Sequence, residues 1–273
     1  MKLLPTIFLV VLWMLSALEP EAQEVFLCGS RYQALADASV GLSGCWSVFG
    51  NQAGLIGIKQ PEIAGSFQNR FLVDELSTRS GLLAIPVHSS VFAVSLYQFG
   101  KIPFRQEKFG FAYSQRISPS LNFGMQFNYY QLFLSEDNRS AGATGLELGV
   151  QYHLSDRLVF GFHILNPYQT RIKVMSGSYN YPSRIDIGAL YHLSECLRIS
   201  SEIEKDVSRH LSIKTGIEYV ILEMFYIRAG ISSNPHQLSA GIGFPVKKLT
   251  IDMATTYNQY LGNSPSVSFQ YQF

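Results

Sequence analysis

The chain reads as an all-β protein, a transmembrane antiparallel β-barrel of about 14 strands carrying an N-terminal plug with a short helix. Three observations predict this. Apolar and polar residues alternate with period two over most of the chain, and an apolar leader precedes that pattern. The alternation then runs to a terminal aromatic residue, Phe273.

The leader comes first. Lys2 supplies a small basic start, residues 3–18 are almost wholly apolar, and Glu19-Pro20-Glu21 ends the run before Ala22-Gln23. Roughly 16 apolar residues fall short of the ~20 that a membrane helix needs. The stretch therefore reads as a cleaved export signal over residues 1–22. No later segment is long enough for a helical span, so further membrane residence would have to be by strands, since only helices and closed barrels satisfy their backbone in lipid.

Composition agrees. Charged residues make up 15% of the chain, against about 25% in a typical soluble domain. Aromatics reach 13%. A net charge of +1 excludes the basic footprint of a nucleic-acid binder.

From Pro61 onward the pattern is that of half-buried strands. In Leu121-Asn122-Phe123-Gly124-Met125-Gln126-Phe127 the odd positions are apolar and the even ones polar or glycine. The spacing predicts strands over 61–70, 76–87, 90–100, 105–116, 120–134, 142–154, 157–165, 181–193, 196–204, 210–221, 224–232, 237–245, 248–257 and 265–273. Most come close to the 9–11 residues that cross a bilayer at a tilt. Short turns, such as His88-Ser89 and Val246-Lys247, alternate with longer loops at 70–76, 100–105, 134–142, 165–181, 204–210, 232–237 and 257–265. Short turns on one side and long loops on the other are the outer-membrane pattern. It would place the long loops outside the cell and both barrel ends on the periplasmic side.

The polar positions carry charges of both signs. Glu147, Arg184, Asp186, Arg198, Glu202, Lys214, Glu218, Arg228 and Asp252 lie opposite the apolar stripe, facing the lumen of a membrane barrel. They should pair across the interior, and some could line a conduction path or substrate site. At the far end, Val267, Phe269, Tyr271 and Phe273 alternate to the last residue, an ending that resembles the assembly signal of bacterial outer-membrane barrels.

Residues 23–58 do not alternate. Residues 30–39 suit a short helix with Ser30 as N-cap, and Gly41, Gly44, Gly50, Gly54 and Gly57 then break the chain into turns. Cys28 and Cys45 lie here, and Cys196 elsewhere. The charged and bulky residues before Cys28 argue against lipidation, and the spacings fit no metal motif. A Cys28–Cys45 disulfide and two separate thiols both fit an exported chain.

The run Ala34-Leu35-Ala36-Asp37-Ala38-Ser39-Val40-Gly41, with Trp46 and Asn51-Gln52-Ala53-Gly54-Leu55 after it, resembles the N-terminal signature of the FadL-like outer-membrane proteins. It is most similar to their PorV/PorQ-like branch in Bacteroidetes, with Gln52 in place of the usual proline. The resemblance implies that residues 23–58 fold into the lumen or mouth of a 14-stranded barrel as a plug. Asp37, Trp46, Asn51 and Gly54 would then be its gating residues. It also implies one of two functions. FadL-like plugs gate a hydrophobic route, and PorV-like barrels hold secreted cargo in type IX secretion.

An enzyme reads less well. The chain contains no G-x-S-x-G elbow, no H-x-x-x-H pair and no phosphate loop. Of the histidines, His88, His153, His192 and His210 fall at or near strand ends. The expectation is therefore a passive channel for small hydrophobic or amphipathic molecules, without cofactor or metal. Its partners would be outer-membrane lipid, the barrel-assembly machinery and a small hydrophobic ligand. The alternative is a non-transporting interaction barrel with a secretion-system protein as partner.

Overall fold

A computed structural model of the protein describes residues 26–134, 139–174, 177–222 and 224–273. The expected export signal, residues 1–22, lies outside them.

Among the described residues, sixteen strands follow one short α-helix. They are β1 (Glu62–Asn69), β2 (Ser77–Val87), β3 (Ser90–Lys101), β4 (Phe104–Ser118), β5 (Leu121–Leu134), β6 (Arg139–Ser155), β7 (Leu158–Leu165), β8 (Arg171–Val174), β9 (Gly177–Asn180), β10 (Arg184–His192), β11 (Leu197–Asp206), β12 (Ser212–Ile221), β13 (Phe225–Ser232), β14 (Gln237–Val246), β15 (Leu249–Asn258) and β16 (Gly262–Gln272). All but β8 and β9 form one closed barrel, in which each strand pairs with its chain neighbours and β1 closes on β16. Closure runs through antiparallel pairs such as Ile63 with Tyr271 and Phe67 with Val267. The Phe273 amide donates to the Pro61 carbonyl at 3.0 Å, so the last residue completes the seam.

The two faces are inverted relative to a water-soluble barrel. On β5, Phe127 is 59% exposed, whereas its neighbours Gln126 and Asn128 are 0% and 3% exposed. Phe92, Val94, Phe111, Ile187, Ile217, Met253 and Phe269 likewise point outward. Apolar side chains outside and polar ones inside satisfy both a hydrocarbon surround and a polar lumen. No described helix is long and apolar enough to cross a membrane.

The structure departs from the sequence expectation in three places. First, some strands reach further than the alternation suggested. β3 runs to Lys101, and β4 and β6 have 15 and 17 residues, so the loop expected at 100–105 shrinks to Ile102-Pro103. Cross-strand pairing sustains the ladder where the apolar pattern has ended. Second, the loop expected at 165–181 contains a separate hairpin, β8–β9. Third, the helix, α1 (Ser30–Ala34), is shorter than expected, and its N-cap is Gly29. Ser30 cannot cap because barrel serines hold it: its amide donates to Ser268 Oγ at 3.1 Å, and its hydroxyl accepts from Ser266 at 2.9 Å. Ala36 and Asp37, both at positive φ, then turn the chain out of the helix. Of the two arrangements that the sequence left open for Cys28 and Cys45, the structure has buried thiols without a disulfide.

Candidate functional site

Residues 26–58 fill the barrel interior. Nearly all are buried, and together with inward residues of the wall they make the apolar core: Phe26, Tyr32, Leu35, Leu42, Trp46, Phe49 and Leu55. The α1 helix packs on β13–β16, and the tight turns Cys45–Phe49 and Gln52–Gly57 pack on β1–β6, so the plug bridges the full cross-section.

Three wall carboxylates hold it. Glu202 accepts the backbone amides of Ser39 and Val40, both at 2.8 Å. Glu147 accepts the side-chain amide of Gln52 at 2.8 Å. Glu218 receives the Arg31 guanidinium through two bonds of 2.9 Å. Such charge-assisted bonds are the strong ones in a buried setting.

The same carboxylates belong to wall networks. In the larger one, Lys108 meets Glu147 at 2.7 Å, and His163 bridges Glu147 and Asp186 at 3.2 and 2.9 Å. Arg184 joins Asp186 to Glu204 at 3.0 and 3.2 Å, and Lys214 joins Glu204 to Glu202 at 2.6 and 3.5 Å. In the smaller one, Glu218 is shared by Arg31, Arg198 and Arg228, and Arg228 also reaches Asp252 at 2.6 Å. All nine lumenal residues expected from the alternation are here. Buried charges survive only when paired and hydrogen-bonded, and these are arranged as chains of alternating sign. Asp186, Glu202 and Glu204 cluster closely enough to suggest a metal, but Arg184 and Lys214 already pair with them. Both ring nitrogens of His163 are taken by carboxylates, so this histidine has no free nitrogen to activate a hydroxyl.

Glycines shape the wall to the plug. Three cross-strand pairs, Gly124 with Gly149, Gly161 with Gly188 and Gly216 with Gly230, point inward at contact points. A methyl group built at Gly124 would overlap the backbone of Gln52 and Ala53, and one at Gly216 would sit 2.6 Å from Leu35 Cβ. The plug backbone thus lies directly on the sheet, an approach only glycine permits.

The four expected gating residues do different work. Asn51 ties the plug to the wall and to itself: its side-chain amide donates to the Val40 and Val150 carbonyls at 2.8 and 3.0 Å. Its oxygen accepts from Ala53 at 3.1 Å, capping the turn that follows. Gly54 lies against Leu42 and Ser47, where no side chain fits. Trp46 is buried beside Phe49, ring centroids 6.3 Å apart, with its indole N–H unpartnered among the described residues. Asp37, at φ 63°, lines a small cavity, and burial pushes its carboxyl above the usual range. Burial likewise raises the Cys45 thiol, keeping it protonated and unreactive.

An aromatic cluster closes the long-loop end. The Phe26 ring lies 5.1 Å from Tyr97, 5.5 Å from Tyr130 and 6.1 Å from Tyr181, and Tyr130 stacks on Tyr181 at 4.3 Å. The β8–β9 hairpin covers it: Ile172 is buried in the core, Tyr179 packs on Tyr181 and Phe104, and Gln106 bonds the Tyr179 hydroxyl.

No protein-family model and no curated protein matches the sequence. Solved structures do match its shape. The Pseudomonas putida toluene transporter TodX superposes with a TM-score of 0.73 at 11% identity, over 93% of this chain and 100% of that one. A Pseudomonas aeruginosa FadL homologue gives 0.67 at 11% identity, over 92% and 100%. At such identities the likeness establishes the fold, a FadL-like closed barrel of fourteen strands.

Proposed function

We propose that the chain is an exported outer-membrane barrel that passes a small hydrophobic or amphipathic molecule, gated by its N-terminal segment. The observation that carries this is a lumen filled by the chain's own N-terminus, with an aromatic cluster beneath a small hairpin at one mouth. The short turns would face the periplasm and the hairpin the exterior. The similar folds of a toluene transporter and a FadL homologue support the same reading. It takes the protein to be a conduit rather than an enzyme.

The geometry favours a division of labour within the gate. Residues 29–58 rest on glycine sockets and three carboxylates, so they form a fixed floor. The segment at Phe26 and the β8–β9 hairpin are held mainly by ring contacts, which exchange readily for those of an apolar guest. Uptake by liposomes containing the purified protein tests the proposal. Entry of an aromatic hydrocarbon or a fatty acid supports it. No entry of either, with or without residues 26–58, removes it.

A second reading has one observation in its favour: the plug is anchored to the wall by Glu147, Glu202 and Glu218. A permanently closed barrel suits an interaction platform, as in the PorV/PorQ-like resemblance. Affinity capture from native membranes separates the two, because a stoichiometric secretion partner would favour the platform and recovery of the barrel alone would count against it.

A further inference from the structure

A cavity of about 40 Å³ lies between the plug and the wall formed by β1, β2 and β16, lined among others by Cys28, Gln33, Asp37, Arg70 and Thr78. Two of these groups have unmet hydrogen-bonding capacity. The Asp37 carboxylate faces the cavity without a hydrogen bond among the described residues. The Thr78 hydroxyl is buried and likewise unpartnered. The cation of the same cavity, Arg70, is engaged, with its guanidinium 5.6 Å from the Phe99 ring centroid. Asp37 and Thr78 are thus the open oxygens of this cavity.

The aromatic cluster is close by along the chain. Cys28 lines the cavity, and Phe26, two residues earlier, sits in the cluster. Two extended residues span roughly 7 Å. In that cluster Phe26 is the ring that tyrosines surround: edge-on to Tyr97, stacked near Tyr130 and Tyr181. The Tyr181 hydroxyl is buried without a partner.

We infer that Phe26 is a built-in placeholder, and that the site it occupies takes a small molecule with one aromatic ring and an amine head, its ring among Tyr97, Tyr130 and Tyr181 and its ammonium on Asp37 and Thr78. This rests on the transport reading and names its substrate class. An ammonium brings three donors to a carboxylate and a hydroxyl that have none. A carboxylate-headed ligand of the same size meets Asp37 with like charge, and a plain hydrocarbon leaves both groups unmet.

The test is calorimetric titration of the full-length barrel in nanodiscs with 2-phenylethylamine, phenylacetate and ethylbenzene, which share one ring and differ in the head. Phe26→Ala should bind the amine at least tenfold more tightly than wild type does, and at least tenfold more tightly than it binds phenylacetate. Adding Asp37→Asn, which tolerates the same left-handed backbone, should erase the preference for amine and leave ethylbenzene binding unchanged. Thr78→Val, nearly isosteric, should weaken the amine severalfold and serves if the double variant does not fold. Equal binding of phenylacetate, or an amine preference that survives both Asp37→Asn and Thr78→Val, would overturn the inference. Liposome uptake separates the two levels: ethylbenzene entry without amine preference overturns this inference alone, whereas amine preference with no entry of any compound overturns the transport reading.

Discussion

At the residue scale the decisive contacts are between plug and wall, and two substitutions measure them. Gly124→Val places a β-branched residue, otherwise favourable in a strand, against the backbone of Gln52 and Ala53. It should cost about 1–3 kcal/mol by overpacking. Gly81→Val is the control, because a methyl group there meets nothing nearer than the Ala64 carbonyl at 3.9 Å. Urea unfolding of both should show the loss only for Gly124. Glu218→Ala removes the shared partner of Arg31, Arg198 and Arg228 and leaves Asp252 to Arg228 alone. The buried Arg228 loses one of its two carboxylates, and the half-buried Arg31 and Arg198 lose theirs, so the urea midpoint should fall by the equivalent of about 3 kcal/mol. The sequence placed Glu218 and its eight companions in the lumen because period two assigns every second side chain to one face. The same register contains Lys108, His163 and Glu204, which a stricter reading of β4, β7 and β11 would have found. Arg31 and Gln52 were out of reach, because irregular backbone has no period from which to read a direction.

At the element scale the barrel strands were legible because each repeats the same alternation and each turn breaks it. The ends of β4 and β6 were not, since their outer pairs are set by ladder hydrogen bonds and not by apolar pattern. The β8–β9 hairpin escaped notice because its strands have four residues each and bury their inner side against the plug's aromatic cluster, a partner distant in sequence. That hairpin also carries the clearest functional prediction at this scale. Removing residues 171–180 should leave the fourteen-strand barrel intact, still migrating faster on a gel unheated than boiled. It should raise aromatic uptake by liposomes severalfold by uncovering Phe26, Tyr130 and Tyr181. Unchanged uptake would mean that the hairpin is not the cover.

At the scale of the whole molecule, an inverted barrel is built around its own N-terminus. The outside is apolar, the wall's inner face is polar and charged, and the plug supplies the apolar core that soluble proteins form between their sheets. The wall carboxylates that hold the plug would be exposed to lumenal water if it were absent, where their charge is solvated, so a barrel lacking residues 26–58 should still close through β1 and β16. This makes one comparison especially direct: ion conductance across planar bilayers for the full-length chain and for the chain without residues 26–58. If the plug is a resident seal, the full-length barrel is silent and the deleted form shows steady, stepwise currents. A full-length barrel that conducts steadily, or a deleted barrel that folds and stays silent, would contradict it.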